Sequence, residues 1–116
     1  MDVTQAVLAH SAWKNKLATY LANPDHSLNP VEVAADDRCE LGKWLKTQGA
    51  KFTDPQFMKL RSEHQRFHKA AGDVVRRADS EHVAAELALG GKSEFAAASA
   101  AVVMAIMGMK DRLTSD

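Results

Sequence analysis

The sequence predicts an all-α protein, an antiparallel four-helix bundle in which one helix is short, and three observations support this. Apolar residues recur at steps of three and four along three long segments, which is the period of a helix with one buried face. The pairs Asn23-Pro24 and Gly90-Gly91 interrupt the chain where helices would end. A shorter segment, 36–45, carries the signals of the remaining helix. Helices that each bury one face pack together as a bundle.

The first helix is predicted to begin at Asp2 or Thr4, either of which can cap it, and to end before Pro24. Its apolar stripe is formed by Val7, His10, Trp13 or Lys14, Leu17 and Leu21. His10 therefore lies on the buried face. Taken alone, such a histidine is more often a core residue with a hydrogen-bond partner than a metal ligand.

A loop is predicted over residues 25–35, with Asn29-Pro30 as a turn. His26 lies in this loop without apolar neighbours in register. We therefore expect it to be solvated and to take no part in a site.

The short helix is predicted over residues 36–45, with two aspartates in its first turn, where they can cap free amides. Cys39 would then lie near a helix N-terminus, which favours the thiolate, the form that binds metal. Gly42 is unusual there, because a mid-helix glycine costs about 1 kcal/mol relative to alanine. It follows Cys39 by three residues, so it can permit a close approach of a neighbouring helix or of a site. The alternative for Cys39 is a small buried hydrophobic side chain.

The third helix is predicted to begin at Asp54-Pro55 and to run to about Ala78. Its stripe contains Phe57, Leu60, His64, Phe67, Ala71, Val74 and Ala78. His64 and His68 are four residues apart, so both imidazoles leave the same helix face, and pairs at this spacing commonly bind metal. The alternative is a pair of core histidines hydrogen-bonded to carbonyls or water.

Two helical segments are predicted after the histidine pair. Residues 81–89 form a short helix or a continuation that stops at Gly90-Gly91, and Ser93 caps the last helix. The stripe of that helix is Phe95, Ser99, Val102, Ile106, Met109 and Leu113, and alanines around it allow close helix packing.

Composition limits the class of protein. The 116 residues suit a single domain, 1–116, and the 15 basic residues balance the 15 acidic ones, so we expect neither nucleic acid nor a membrane as partner. The single cysteine excludes an internal disulfide and suits a reducing cytoplasm. The N-terminus lacks a signal-peptide pattern. No run is expected to be long enough to cross a bilayer, since the most apolar stretch, Phe95–Met107, is too short. We expect a cytoplasmic protein.

Polar side chains on the predicted inward faces come from three different helices and are His10, Cys39, His64 and His68. Three imidazoles and one thiolate suit tetrahedral zinc (Zn2+). A di-iron bundle would need inward carboxylates with a Glu-x-x-His pattern, and covalent haem would need Cys-x-x-Cys-His; the sequence shows neither.

Three segments of this chain resemble the signature segments of the chemoreceptor zinc-binding (CZB) domain family. They are His10 with Trp13, the run Cys39-Glu40-Leu41-Gly42-Lys43-Trp44, and the run His64-Gln65-Arg66-Phe67-His68. The likeness covers nearly the whole chain. It implies a four-helix bundle that binds zinc through one histidine, one cysteine and the histidine pair, which by motif are His10, Cys39, His64 and His68.

The resemblance also implies a partner. Members are usually fused to bacterial chemoreceptors or diguanylate cyclases, which they regulate, often as homodimers. This chain shows no output domain. We therefore expect a free-standing member or an excised domain.

Four functions are open at this point. The leading one is a zinc-responsive regulatory module that signals its metal state to a partner or output domain. A related one is redox sensing, in which an oxidant such as hypochlorite attacks Cys39 and removes the only sulfur ligand. The third is a zinc hydrolase with three histidines and a water. The sequence argues against it, because Gln65 stands where metalloproteases place their general base and Glu63 should point away. The fourth is a metal-free helical interaction module.

Overall fold

A computed structural model describes residues 2–81 and 84–114. Over these residues the chain is all-α, as predicted, and contains no strand. The helices are α1 (Val3–Ser11), α2 (Trp13–Ala22), α3 (Pro30–Ala34), α4 (Glu40–Lys46), α5 (Pro55–Glu81), α6 (Ala85–Leu89), α7 (Glu94–Gly108) and α8 (Lys110–Thr114), with a 3₁₀ turn at Gln48–Lys51.

The predicted first helix is present as α1 and α2, which follow each other almost without a break. Only Ala12 separates them, and its backbone stays close to helical at φ −66° and ψ −20°. The Asp2 carboxylate caps α1 by accepting a 3.0 Å hydrogen bond from the Gln5 amide. The second helix ends at Ala22, directly before Asn23-Pro24, because a residue that precedes proline disfavours the helical conformation.

The loop prediction for residues 25–35 is wrong in its second half, because Pro30–Ala34 forms α3. The Asn29 side chain accepts hydrogen bonds from the amides of Val31 and Glu32, at 2.9 and 3.3 Å. Asparagine followed by proline is typical of a helix start as well as of a turn, and here the pair begins a helix. His26 does lie in the preceding loop, with an exposed side chain.

The short helix begins later than predicted. Residues 36–39 form a turn, and α4 starts at Glu40 with Cys39 as its capping residue. The Cys39 sulfur accepts from the Gly42 amide at 3.4 Å, so it takes the role predicted for the aspartates. A backbone N–H near a helix start needs an acceptor, and the thiol supplies it.

The C-terminal half follows the prediction closely. Helix α5 begins at Pro55 and ends at Glu81, three residues beyond the predicted end. Helix α6 stops before the glycine pair, and the Ser93 hydroxyl caps α7 by accepting from the Ala96 amide at 3.1 Å. The predicted stripe is buried at Phe95, Val102, Ile106, Met109 and Leu113, with α8 continuing it. His82 lies outside the described residues.

Helix α5 lies at the centre of the packing and contacts α2, α3 and α7. Its buried face includes Phe57, Leu60, His64, Phe67, His68, Ala71, Val74, Val75 and Ala78. The two histidines are therefore part of the core face, as their place in the sequence repeat predicts.

The most apolar stretch of the described residues is longer than the sequence predicts. By length and composition the stretch Leu87–Gly108, with a mean hydropathy of 1.2, is apolar enough to span a bilayer. In the structure residues 90–93 divide this stretch between α6 and α7. Helix α7 places Phe95, Ala98 and Val102 in the core. A core helix meets the same criterion, so this stretch is weak evidence for a membrane span.

Candidate metal centre

His10 lies near the end of α1 with only 2% of its surface exposed. Its Nδ1 lies 2.6 Å from the carbonyl oxygen of Ala6, one helical turn earlier. A carbonyl only accepts, so Nδ1 donates and carries the proton. The lone pair on Nε2 is therefore free to bind a metal.

His68 is oriented in the same way, but by a different element. Its Nδ1 lies 3.1 Å from the carbonyl oxygen of Val33 in α3. Helix α3 can approach α5 this closely because of Gly72: a Cβ atom there would lie 2.7 Å from the Cβ of Ala34 and 2.8 Å from the carbonyl oxygen of Pro30. Helix α3, which the sequence did not predict, thus fixes the orientation of the His68 ring.

Cys39 faces the histidines from the start of α4. Its sulfur lies 3.2 Å from Nε2 of His64, 3.6 Å from Nε2 of His68 and 4.0 Å from Nε2 of His10. The sulfur is thus close to all three imidazoles, each through the same ring nitrogen.

The geometry of the four donors fits a tetrahedral ion. All four donor atoms lie within 4.8 Å of one another. Typical zinc–sulfur and zinc–nitrogen bonds would place sulfur and nitrogen about 3.6 Å apart around one ion. The three observed sulfur–nitrogen distances, 3.2 to 4.0 Å, bracket that separation. The four predicted residues are brought together, and the described residues contain no other cluster of this kind.

Burial sets the protonation of the donors. It lowers the pKa of His64 to about 3, and the neighbouring imidazoles and Lys46 add to the effect. Burial likewise lowers the pKa of His10 and of His68. All three rings are therefore neutral near pH 7, the form that binds metal.

The cysteine departs from its expected protonation. Burial raises the pKa of Cys39, and the hydrogen bond from the Gly42 amide only partly opposes this. Without a metal, burial therefore favours the thiol over the thiolate that a helix N-terminus is expected to favour. A metal must displace the thiol proton to bind the sulfur.

Aromatic rings pack against the cluster, and one ring nitrogen of its three histidines has no hydrogen-bond partner. The ring of Phe67 lies 5.2 Å from that of His10 and 5.5 Å from that of Phe95. Nδ1 of His64 is buried without a hydrogen-bond partner, unlike the corresponding atoms of the other two histidines. The sequence could not identify the supporting carbonyls of Ala6 and Val33, because every residue carries a carbonyl and no side chain marks these two.

His26 lies away from the cluster, as expected. Its side chain is 79% exposed, and its Nδ1 is 3.8 Å from a carboxylate oxygen of Asp79. Its backbone has a positive φ of 62°, a conformation that is uncommon for residues other than glycine.

Comparison with known protein families identifies the family of this chain. A family model described as “Chemoreceptor zinc-binding domain” matches residues 10–75, which is more than half of the 116 residues. The matched range begins at His10 and includes Cys39, His64 and His68. No curated protein and no solved structure matches the chain.

Proposed function

The chain belongs to the chemoreceptor zinc-binding domain family, and from this premise we propose that it is a regulatory module that binds one zinc ion through His10, Cys39, His64 and His68. The observation that carries the proposal is the convergence of these donors. They come from α1, the start of α4 and α5, yet their ligand atoms lie within 4.8 Å of one another. Zinc prefers imidazole nitrogen and cysteine sulfur as ligands. Hydrogen bonds fix the tautomers of the neutral His10 and His68 rings, and the Cys39 sulfur lies beside the third ring, that of His64.

The donor set argues for regulation rather than catalysis. Four protein ligands close the coordination shell, whereas catalytic zinc keeps a position open for water. A three-histidine hydrolase would also need a general base. Gln65 cannot accept a proton, and the Glu63 carboxylate lies 3.6 Å from the Arg66 guanidinium. We propose that the protein is not an enzyme.

Zinc would act by joining elements that are otherwise weakly linked. Structural zinc contributes about 10–16 kcal/mol in small domains, comparable with the total stability of a domain. Helix α4 is tied to the preceding turn by a loose ion pair, 3.9 Å between Lys46 and Asp36. Helix α4 contributes only Leu41 and Leu45 to the apolar core, whereas α5 and α7 contribute a larger share of it and pack on each other. Losing the ion should therefore loosen residues 36–46 first, while the rest remains folded.

Residues 36–46 would then have two states, ordered with zinc and loosened without it, and a partner could bind one state in preference to the other. In this proposal α1 with α2, α5 and α7 are the long helices of an antiparallel four-helix bundle, and α4 is its short helix. The partner is an output domain or protein of bacterial signalling in the cytoplasm, namely a chemoreceptor or a diguanylate cyclase. The balanced charge of the chain supports neither nucleic acid nor a membrane as partner.

A second copy of the chain is the proposed cover for the outer face of α7. Residues 95–109 contain no charged side chain, although Ala97, Ala100, Met104 and Met107 are exposed there. A helix that is apolar on all sides is normally covered. A patch of small and flexible uncharged residues is self-complementary, as a two-fold symmetric interface requires.

Redox sensing through Cys39 is the second candidate, and the partial exposure of this residue favours it. Clefts flank this residue on two sides, one lined by His10 and Trp44 and the other by Val33 and His68. A small oxidant can approach the residue from either cleft. Mass spectrometry after hypochlorite exposure tests this. Oxidation of Cys39 only at doses far above those that oxidise ordinary exposed thiols would exclude it.

The main proposal is tested by competition with a zinc chelator. We expect one zinc per chain in the unmodified protein and a large loss of affinity in Cys39→Ala, while His26→Ala, a histidine outside the cluster, changes nothing. No uptake at micromolar zinc would overturn the proposal. Full affinity in Cys39→Ala would instead indicate the three-histidine hydrolase.

A further inference from the structure

A stack of three aromatic rings joins α4 to the start of α5. The ring of Phe57 in α5 lies 6.1 Å from that of Trp44 in α4, with the ring planes 21° apart. It lies 4.5 Å from the ring of Phe52, which follows the 3₁₀ turn, with the planes 13° apart. Both separations are within the range at which aromatic pairs attract each other. Phe57, which has no exposed surface, is thus the shared member of this aromatic stack.

Helix α8 reaches the aromatic stack through Arg112. The central carbon of the guanidinium lies 4.5 Å from the ring centroid of Phe57 and 5.6 Å from that of Phe52. A cation this close to an aromatic ring is attracted by the ring's π-system. Two guanidinium nitrogens also donate to the Asp54 carboxylate, at 2.7 and 2.9 Å, and this paired contact fixes the orientation of the group. Arg112 thus holds α8 against the ring on which Trp44 packs.

Helix α4 depends on the aromatic stack for much of its packing. Apart from Trp44, the apolar side chains that α4 places in the core are those of Leu41 and Leu45. The indole Nε1 of Trp44 is buried without a hydrogen-bond partner, so packing alone positions this ring. Cys39 caps the start of α4. A shift of the Trp44 ring would therefore move the helix that positions the sulfur.

Helix α8 also has an attachment that does not involve the aromatic stack. Leu113 is fully buried in the apolar core, so we expect α8 to stay docked when Arg112 is replaced. The Asp54 side chain is 38% exposed, so its carboxylate stays hydrated without the guanidinium. The main effect of such a replacement is then a gap beside Phe57. Because protein interiors are close-packed, the aromatic stack would relax into this gap.

We propose that α8 regulates the metal centre, with Arg112 acting through Phe57 as a positioning residue for α4 and hence for the Cys39 sulfur. The effect on metal binding rests on the proposed zinc site. A partner that draws Arg112 away from the aromatic stack would weaken zinc binding. By linkage, zinc would strengthen the attachment of Arg112 by the same factor.

The first measurement is hydrogen exchange of backbone amides in metal-free protein, followed by mass spectrometry. We expect residues 43–46 to exchange about fivefold faster in Arg112→Gln, the effect of losing one cation–π contact, while the exchange of α7 does not change. Arg76→Gln is the matched control and should change neither. Arg76 also pairs with a carboxylate, that of Asp73 at 2.9 Å, but it lies about five turns along α5 from Phe57.

The second measurement is zinc affinity by chelator competition. We expect the affinity to fall by about fivefold in Arg112→Gln and to stay unchanged in Arg76→Gln. When Trp44→Leu is already present, Arg112→Gln should have little further effect, because the ring that transmits the change is missing. A purely structural role of Arg112 would instead give the same loss with either side chain at position 44.

Several outcomes would overturn the inference. One is exchange of residues 43–46 that is equal in Arg112→Gln and in the unmodified protein, and another is faster exchange that α7 shares. A loss of zinc affinity that is as large with Trp44→Leu as without it would also overturn it. Protein that binds zinc equally well with Arg112→Gln defeats only this inference. Absence of zinc uptake by the unmodified protein defeats the proposed function, and the exchange measurement then still decides whether Arg112 positions α4.

Discussion

The backbone carbonyl oxygen of Asp36 lies 1.7 Å from the point that a Cβ atom on Gly42 would occupy. The turn before Cys39 is therefore laid directly against the first turn of α4, and only glycine permits this. The Gly42 amide also donates to the Cys39 sulfur at 3.4 Å. Gly42 is unfavourable in a helix interior, but its missing side chain lets the turn that carries Cys39 pack against α4.

Replacing Gly42 with alanine should separate this turn from α4. The contact is with backbone atoms, which cannot rotate away as a side chain can, so the chain around Cys39 must move. We expect zinc affinity to fall by roughly 10–100-fold, the range found when the support of a metal ligand is lost. Chelator competition measures it. Gly91→Ala is the control, because nothing lies within 4 Å of that position; equal affinities in the two variants would contradict the explanation.

Replacing Gly72 with alanine should push α3 away from α5. The new methyl group would meet the Cβ of Ala34 at 2.7 Å and the Pro30 carbonyl oxygen at 2.8 Å. We expect a loss of about 1–3 kcal/mol in the free energy of unfolding, the usual cost of overpacking. Zinc affinity should also fall, because the Val33 carbonyl would no longer hold His68. Denaturant unfolding gives the first value. Gly108→Ala, which meets nothing within 4 Å, should not destabilise the protein.

The helices and the donor residues were predictable from the sequence for physical reasons. The stripe through Phe57 and Phe67 repeats at helical spacing over many turns, so the face of α5 could be read directly. His64 and His68 lie on that face, and helix geometry alone makes them neighbours. Pro55 and Ser93 marked helix starts that the structure reproduces.

The features that the sequence does not predict depend on tertiary contacts. Helix α3 has only five residues, too few to show a period, and Asn29-Pro30 signals a turn as well as a helix start. The late start of α4 depends on the Asp36 carbonyl meeting Gly42. The raised pKa of Cys39 depends on how deeply the thiol is buried, which sequence position does not reveal.

Zinc binding should release about one proton per ion near neutral pH. The pKa of each histidine in the cluster is lowered by burial, so these rings carry no extra proton at pH 7. The pKa of Cys39 is raised, so its thiol must lose a proton to bind zinc. Zinc affinity should therefore increase about tenfold per pH unit between pH 6.5 and 8, since each proton released contributes one such factor. Calorimetry in buffers with different ionisation enthalpies counts the protons, and a value near zero would mean that Cys39 is already a thiolate.

Acid should destabilise the metal-free protein through the same histidines. Their folded-state pKa values are lowered below the ordinary value of 6.5, and that of His64 reaches about 3. As pH falls below 6.5 the unfolded chain takes up protons first, so the stabilisation present above that pH is lost progressively. The expected slope is about 1.4 kcal/mol per pH unit for each histidine that stays neutral in the folded state.

Urea unfolding of metal-free protein between pH 7.5 and 5 measures this slope. The control is His26→Gln, which replaces a histidine with an exposed side chain and leaves the buried cluster unchanged. A free energy of unfolding that does not change over this range would show that the buried rings are protonated in the folded state.

A charge placed on the outer face of α7 should dissociate the proposed homodimer. Met104 is 73% exposed in the centre of the uncharged face, so a lysine there is harmless to the monomer but would be buried without a partner between two copies. We expect Met104→Lys to shift the protein from dimer to monomer in sedimentation at micromolar concentrations. Met58→Lys is the matched control, because Met58 is 54% exposed on α5 and lies outside that face. Equal dissociation by the two variants, or an unmodified protein that is already monomeric, would show that this face of α7 does not join two copies.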